Sequence, residues 1–248
     1  MNIKSKSQIE KMRASGKILA RVLLEARKLC IPGTKTIEID NFIEKYIYSK
    51  NSIPSFKNFK GYPYSSCISI NEEVVHTLPS ERIIKEGDLV GLDVGVLHEG
   101  FHTDSAISFG VGKISSLDEK LLSVTKKALL NGISVIADNV KIGDVQARIQ
   151  ETIENAGFQV IRDLCGHGIG KKMQEPPSIP NIGRKGTGFT LKEGMTICLE
   201  PMAAIGTYKI ALSDDDWSIV TLDGSHAAQF EHTILVTKTS ADILTAID

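Results

Sequence analysis

The stretch Lys85-Glu86-Gly87-Asp88-Leu89-Val90-Gly91-Leu92-Asp93 returns in the second half of the chain as Lys192-Glu193-Gly194-Met195-Thr196-Ile197-Cys198-Leu199-Glu200. Each copy reads as a glycine-marked turn leading into an apolar strand, and each strand is expected to close on a carboxylate where a core strand would carry another hydrophobe. Downstream of each copy a second strand pattern holds its own acid, Asp104 in Phe101-His102-Thr103-Asp104-Ser105 and Glu231 in Gln229-Phe230-Glu231-His232-Thr233.

The surrounding elements repeat as well. Ser7-Gln8-Ile9-Glu10 reads as a capping box, after which Ile9, Met12, Ile18, Leu19, Val22 and Leu23 keep helical spacing until Ile31-Pro32-Gly33. A second helix runs from about Thr34 to Ile47, followed by a loop through Gly61-Tyr62-Pro63 and a strand at Cys67-Ile68-Ser69-Ile70. Ser116-Leu117-Asp118-Glu119 then reads as another capping box, for a helix that fades near Asn139. Ile142-Gly143-Asp144 opens its partner, which ends at Gly157, and the strands that follow include a hairpin signalled by Asp223-Gly224. Helix, helix, strands is written twice. The pattern predicts one α/β (α+β) domain over residues 1–248, made of related halves 1–114 and 115–248 that face each other across a pseudo-two-fold.

Composition narrows the function classes. Of the 248 residues, 42% are hydrophobic and 24% charged, which is ordinary for a soluble globular protein. A formal net charge of -1 provides no basic footprint for nucleic acid. No run approaches the roughly 18 apolar residues of a membrane helix, and the start of the chain lacks a signal-peptide pattern. Cys30, Cys67, Cys165 and Cys198 have no Cys-x-x-Cys spacing and read as reduced, partly buried thiols, so a cytoplasmic location is expected.

Four acids set in apolar strands would repel one another and resist burial unless a cation neutralised them. Asp93 and Asp104, joined by a short turn at His98-Glu99-Gly100, can face each other across a hairpin, and Glu200 and Glu231 can do the same from the other half. His167, in Gly166-His167-Gly168-Ile169-Gly170, is the expected nitrogen ligand, its flanking glycines letting backbone and ligand come close. One imidazole and four carboxylates suit two divalent ions about 3.5–4 Å apart that share a nucleophilic water or hydroxide. Manganese, iron and cobalt tolerate these ligands, and zinc is compatible.

Other motifs fail on context. His98-Glu99-Gly100-Phe101-His102 spells the zinc-protease pattern, but that motif requires a helix and here a glycine sits where a hairpin turn belongs. Gly110-Val111-Gly112-Lys113 lacks the spacing of a phosphate loop, and Gly166 to Gly170 lacks a dinucleotide fingerprint.

Cys-Gly-His-Gly-Ile-Gly at 165–170, Leu-Glu-Pro-Met at 199–202, Gln-Phe-Glu-His-Thr at 229–233 and the Asp93/Asp104 pair together resemble methionine aminopeptidase of the short, bacterial type I, in the M24 metallopeptidase family. The resemblance runs along nearly the whole chain. It implies the pita-bread fold around a central antiparallel sheet and removal of the N-terminal methionine from peptides and newly made proteins, possible at the ribosome, by a monomeric enzyme. It also implies that Asp93 chelates one metal, that Asp104 and Glu231 bridge both, and that His167 and Glu200 complete the other, with Glu200 as proton acceptor. His76, in Val74-Val75-His76-Thr77, matches a non-ligand histidine that contacts the substrate; from the residues alone it could equally be structural. Phe59, Tyr62, Cys67 and Trp217 match the wall of the methionine pocket, although each could be plain core.

The pattern breaks at one catalytic and substrate-contacting position. Where the family has a second histidine, in Phe-His-Glu-x-Pro, this chain has Met173-Gln174-Glu175-Pro176. Gln174 hydrogen-bonds but cannot titrate near neutrality, which predicts slower turnover or altered specificity. An Xaa-Pro aminopeptidase and a low-activity or binding paralogue on the same fold are the alternatives; keeping all five metal ligands argues against pure binding.

Overall fold

The computed structural model describes residues 3–246. Its centre is a nine-stranded antiparallel sheet. The strands are β1 (Ile53–Pro54), β2 (Ser66–Ile70), β3 (Leu89–His98), β4 (Phe101–Gly110), β5 (Cys165–Gly168), β6 (Glu175–Pro180), β7 (Thr196–Leu199), β8 (Glu231–Val236) and β9 (Ala241–Ile243). They lie in the order β1-β3-β4-β8-β7-β5-β6, with β2 also on β3 and β9 also on β8. Strands from both parts of the chain meet at β4–β8, where Ala106 pairs Glu231 and Ser105 pairs His232.

Side-chain alternation assigns the two faces. Val90, Leu92, Val94 and Val96 of β3 pack into one core with Leu19, Val22 and Leu23 of helix α1 (Lys6–Leu29) and Ile39, Ile43 and Ile47 of α2 (Thr36–Ser49). Ile197 and Leu199 of β7 and Ile234 and Val236 of β8 pack against Leu121 and Leu129 of α3 (Ser116–Ile133) and Val145 and Ile149 of α4 (Ile142–Glu154). A strand turns successive residues to opposite faces, so Asp93, one step out of phase with its valines and leucine, points away from the helices. The same rule turns Asp104, Glu231 and Cys198 to that face.

The repeat is visible in hydrogen bonding. Asp88 N donates to Lys85 O, and Met195 N donates to Lys192 O at the equivalent turn. Gly87 N donates to Val111 O just past β4, and Gly194 N donates to Val236 O at the end of β8. Both glycines have left-handed backbones, φ +92° and +84°, which explains why glycine stands in each copy.

Two three-stranded sheets flank the main one. Glu73–Val75, Ile210–Leu212 and Ile219–Thr221 form the first; Gln159–Val160, Met202–Ala204 and Ala227–Gln229 form the second. Asp223-Gly224 therefore joins two different sheets; the hairpin expected there instead turns between Leu212 and Ile219, around Trp217. Ile219 pairs with Val75, which brings that turn beside His76.

Helix starts also differ from the expected ones. Ser5, not Ser7, caps α1: its hydroxyl accepts from Gln8 N, and its own N–H donates to Gln8 Oε1. Ser115, not Ser116, caps α3 by accepting from Asp118 N. In both cases the neighbouring serine reaches a free amide three residues on, and the helix begins one residue after it. Helix α2 starts at Thr36 and α4 ends at Glu154, with Gly157 in the turn beyond.

Candidate metal centre

Five adjacent strands each present one side chain to the same cavity: Asp93 from β3, Asp104 from β4, Glu231 from β8, Glu200 just past β7, and His167 from β5. Asp93 thus lies in the middle of its strand, not at the end that the repeat suggested, and only Glu200 follows a strand terminus. Register makes the Asp93–Asp104 relation diagonal, since Asp93 pairs Ala106 and Asp104 pairs Gly95. Their carboxyl groups still interact with each other.

The β4–β8 seam is fixed by hydroxyls. Thr233 Oγ1 donates to Asp104 O at 2.8 Å and accepts from Asp104 N at 2.9 Å, while Ser105 Oγ donates to Glu231 O at 2.7 Å. Asn181 Nδ2 donates to Glu200 O at 3.0 Å, anchoring the backbone of the fourth acid. On the other side, His167 Nδ1 donates to Gly168 O at 2.9 Å, so its Nε2 presents a lone pair inward, 3.9 Å from Asp104 Oδ2 and 3.8 Å from Glu200 Oε1. Burial lowers the pKa of His167, which keeps that nitrogen unprotonated.

Gly166 and Gly168 serve a different purpose from the one expected of them. A Cβ at Gly166 would stand 2.3 Å from Cys198 O, and one at Gly168 would stand 2.6 Å from Pro176 O. The glycines therefore let β7 and β6 close on β5; the approach they permit is strand to strand.

Electrostatics identify what the cluster lacks. Burial pushes Asp93 up to about 7. Asp104 is raised well above its ordinary range by burial and then by Glu231 and Asp93; Glu231 by burial and then by Glu200 and Asp93; Glu200 by burial and then by Asp104 and Asp93. Asp93 Oδ1, Asp104 Oδ1 and Glu231 Oε1 are buried without a hydrogen-bond partner. Such oxygens are costly unless something positive meets them, and hard divalent cations fit this donor set. Ligand atoms of Asp104, His167 and Glu231 lie within 4.8 Å of one another, in a group that also contains Cys198. The sequence reading missed Cys198 as a neighbour of the centre. Burial followed by the charges of Glu231 and Asp104 holds its thiol well above its usual range, and the sulfur lies 3.6 Å from Thr233 Oγ1.

The cavity, of about 280 Å³, continues from the acids to an apolar end. Phe59, Tyr62, Cys67, His76, Gln174 and Trp217 all line it, so every residue singled out from the sequence for this site reaches one space. Tyr62 and Trp217 meet edge to face with centroids 5.1 Å apart, and Tyr62 Oη donates to Ser66 O and Thr77 O. Phe56, Met173 and Met202 complete the apolar wall; they lie in a loop and in short segments whose convergence no local pattern announces. His76 has a left-handed backbone, φ 59°, a conformation that turns its ring into the cavity. The ring is accessible from the cavity yet hemmed in by protein, and lost hydration followed by the charge of Lys60 lowers its pKa. Val75 and Met173, the latter where the family pattern has Phe, stand in the same lining.

The histidines of His98-Glu99-Gly100-Phe101-His102 flank a two-residue hairpin turn, Glu99 at φ 46° and Gly100 at φ 81°. They bond Ser52 and Ser55 and take no part in the centre. Among the described residues no helix is long and apolar enough to cross a membrane.

The model for metallopeptidase family M24 matches residues 10–238. A methionine aminopeptidase of Clostridium acetobutylicum is 42% identical over 244 residues, covering 98% of each chain. The crystal structure of methionine aminopeptidase from Thermotoga maritima superposes with a TM-score of 0.98 at 42% identity, covering all of both chains (100%). Prolidase from Pyrococcus furiosus, at 21% identity, TM-score 0.82 and 66% of its own length covered, shares the fold, the pita-bread arrangement anticipated above.

Proposed function

This chain belongs to metallopeptidase family M24, and from that premise we propose that it removes the N-terminal methionine from peptides and newly made proteins as a metal-dependent aminopeptidase. The observation that carries the reading is the convergence of Asp93, Asp104, His167, Glu200 and Glu231 on one cavity, with three buried carboxylate oxygens left without partners.

Asp93, Asp104, His167, Glu200 and Glu231 would hold two divalent ions, with manganese, iron or cobalt preferred and zinc compatible. Bound there, such ions supply Lewis acidity and lower the pKa of water. The methionine side chain enters between Phe59, Tyr62, Cys67 and Trp217, where a thioether is read by shape and by contact with aromatic rings. His76, neutral at pH 7, reaches the scissile amide and exchanges a hydrogen bond with it. Glu200, at the cavity wall, accepts the proton of the attacking water and returns it to the leaving amine. Gln174 offers an amide at the mouth where the family has an imidazole, so it positions substrate without carrying a proton. The enzyme acts as a monomer in the cytoplasm, on chains leaving the ribosome.

The test is methionine release from Met-Ala-Ser by stripped protein refilled with manganese or cobalt, against a blank without metal. Metal-dependent release is expected. Folded, metal-loaded protein that releases nothing, or that cleaves only ahead of proline, would overturn the reading.

A further inference from the structure

One cation stands at the mouth of this cavity. Lys60 lines it together with Asp93, Asp104, Asp163, Glu200 and Glu231. Its ammonium donates to Gln174 Oε1 at 2.9 Å and lies 5.1 Å from the centroid of Phe59. Among the described residues it forms no salt bridge, so its hydrogen-bond acceptor is neutral. Both Lys60 and Gln174 are exposed, at the rim of the cavity that His76 also lines.

The backbone holds this lysine in place at a cost. Asn58 and Lys60 both have left-handed conformations, φ 68° and 53°, in a loop closed by Asn58 N donating to Tyr62 O. Non-glycine residues in that region are strained and persist where the surroundings enforce them. Gln174 holds the other end of the side chain. Its carbonyl oxygen anchors the ammonium, while its amide N–H groups remain available as donors next to it. An acid at 174 would cancel the lysine's charge; a glutamine leaves it for something else.

We propose that Lys60, held by Gln174, is a specificity-determining cation that selects peptides with an acidic side chain at the third residue. The assignment rests on the methionine-release reading for its register. With methionine at the apolar end and the scissile bond at the acids, the third residue is the first to emerge, roughly 3.3–3.6 Å of chain per residue further out. A carboxylate there takes a charge-assisted bond from the ammonium and a second bond from the Gln174 amide, in place of the neutral contact present without substrate.

The experiment compares Met-Ala-Glu-Ser, Met-Ala-Gln-Ser and Met-Ala-Lys-Ser on manganese-loaded enzyme, by kcat/KM and by binding followed through the fluorescence of Trp217, the only tryptophan. The glutamate peptide is expected to exceed the glutamine peptide by about fivefold, with the lysine peptide lowest, because exposed ion pairs contribute up to about 1 kcal/mol. The spread should collapse in about 0.5 M salt. Lys60→Met should erase the order and Lys60→Glu should reverse it. Equal values for the three peptides on the wild type, or a preference that survives Lys60→Met, would overturn the assignment. Charge-ordered binding without release of methionine from any peptide would support Lys60 and sink the methionine reading instead.

Discussion

Metal-stripped Asp93→Asn protein should gain thermal stability over the stripped wild type as pH rises. Asp93 is buried with one oxygen unpartnered, and burial lifts it from 3.8 to about 7. The folded state therefore holds its proton more tightly than the unfolded state. A carboxyl raised in this way contributes stability that is complete below the unfolded value near 4 and is lost as pH climbs through the folded value. Between about pH 5 and pH 8 the unfolded chain keeps this group ionised while the folded protein must give up its proton, so the wild type loses about 2–3 kcal/mol relative to the asparagine variant. At roughly 2–4 °C per kcal/mol for a chain of this size, the wild-type Tm should fall by about 5–10 °C relative to the variant across that window. Pairing the two proteins cancels the histidines: His76, His102, His167 and His232 all have lowered pKa values and drive stability the opposite way as pH rises toward the unfolded histidine value. The assay is a pair of melting curves at fixed ionic strength in chelator. A Tm difference that stays flat from pH 5 to pH 8, or that moves in the wild type's favour, would refute the burial argument.

Three further outcomes follow from the same geometry. Loading the stripped protein with manganese at pH 7 should release protons, from Asp93 and from Asp104, Glu200 and Glu231, all raised by burial; calorimetry in two buffers of different ionisation enthalpy measures it, and no net release would contradict the raised acids. Gln174→His should raise kcat by about tenfold or more by restoring a titratable group at the mouth, and unchanged turnover would show that no proton is handled there. Gly166→Ala should cost about 1–3 kcal/mol and weaken metal binding, because its Cβ would stand 2.3 Å from Cys198 O beside His167; melting and metal titration together read both effects.

The acids were legible because each breaks an apolar run, although the run was read as ending there and in β3 it continues. In β3, valines and leucine at 90, 92, 94 and 96 fill the helix-facing core, so a carboxylate at 93 announces a second, polar demand on the other face. The doubled turn was legible for a similar reason, as Gly87 and Gly194 satisfy the same backbone requirement. Register was not legible: nothing local states that Asp93 pairs Ala106 and meets Asp104 diagonally. Helix starts slipped where two candidate serines compete within a few residues, and only the three-dimensional path of the chain favours Ser5 and Ser115. Phe56, Lys60 and Cys198 escaped notice because each is ordinary in its own segment and gains its role from neighbours far away in sequence, as Lys60 does from Gln174.

The seam between β4 and β8 has a consequence in time. Ala106 and Ser105 wait for Glu231 and His232, which a ribosome adds only after more than a hundred further residues. Until that late strand docks, the early acids Asp93 and Asp104 have neither the imidazole nor the remaining carboxylates beside them, and the hydroxyl of Ser105 lacks its acceptor. The polypeptide is thus inert through nearly all of its own synthesis. A fragment ending before residue 231 should keep its helices and its first hairpin as candidates for local order while lacking the strand that seats the later ligands beside the earlier ones.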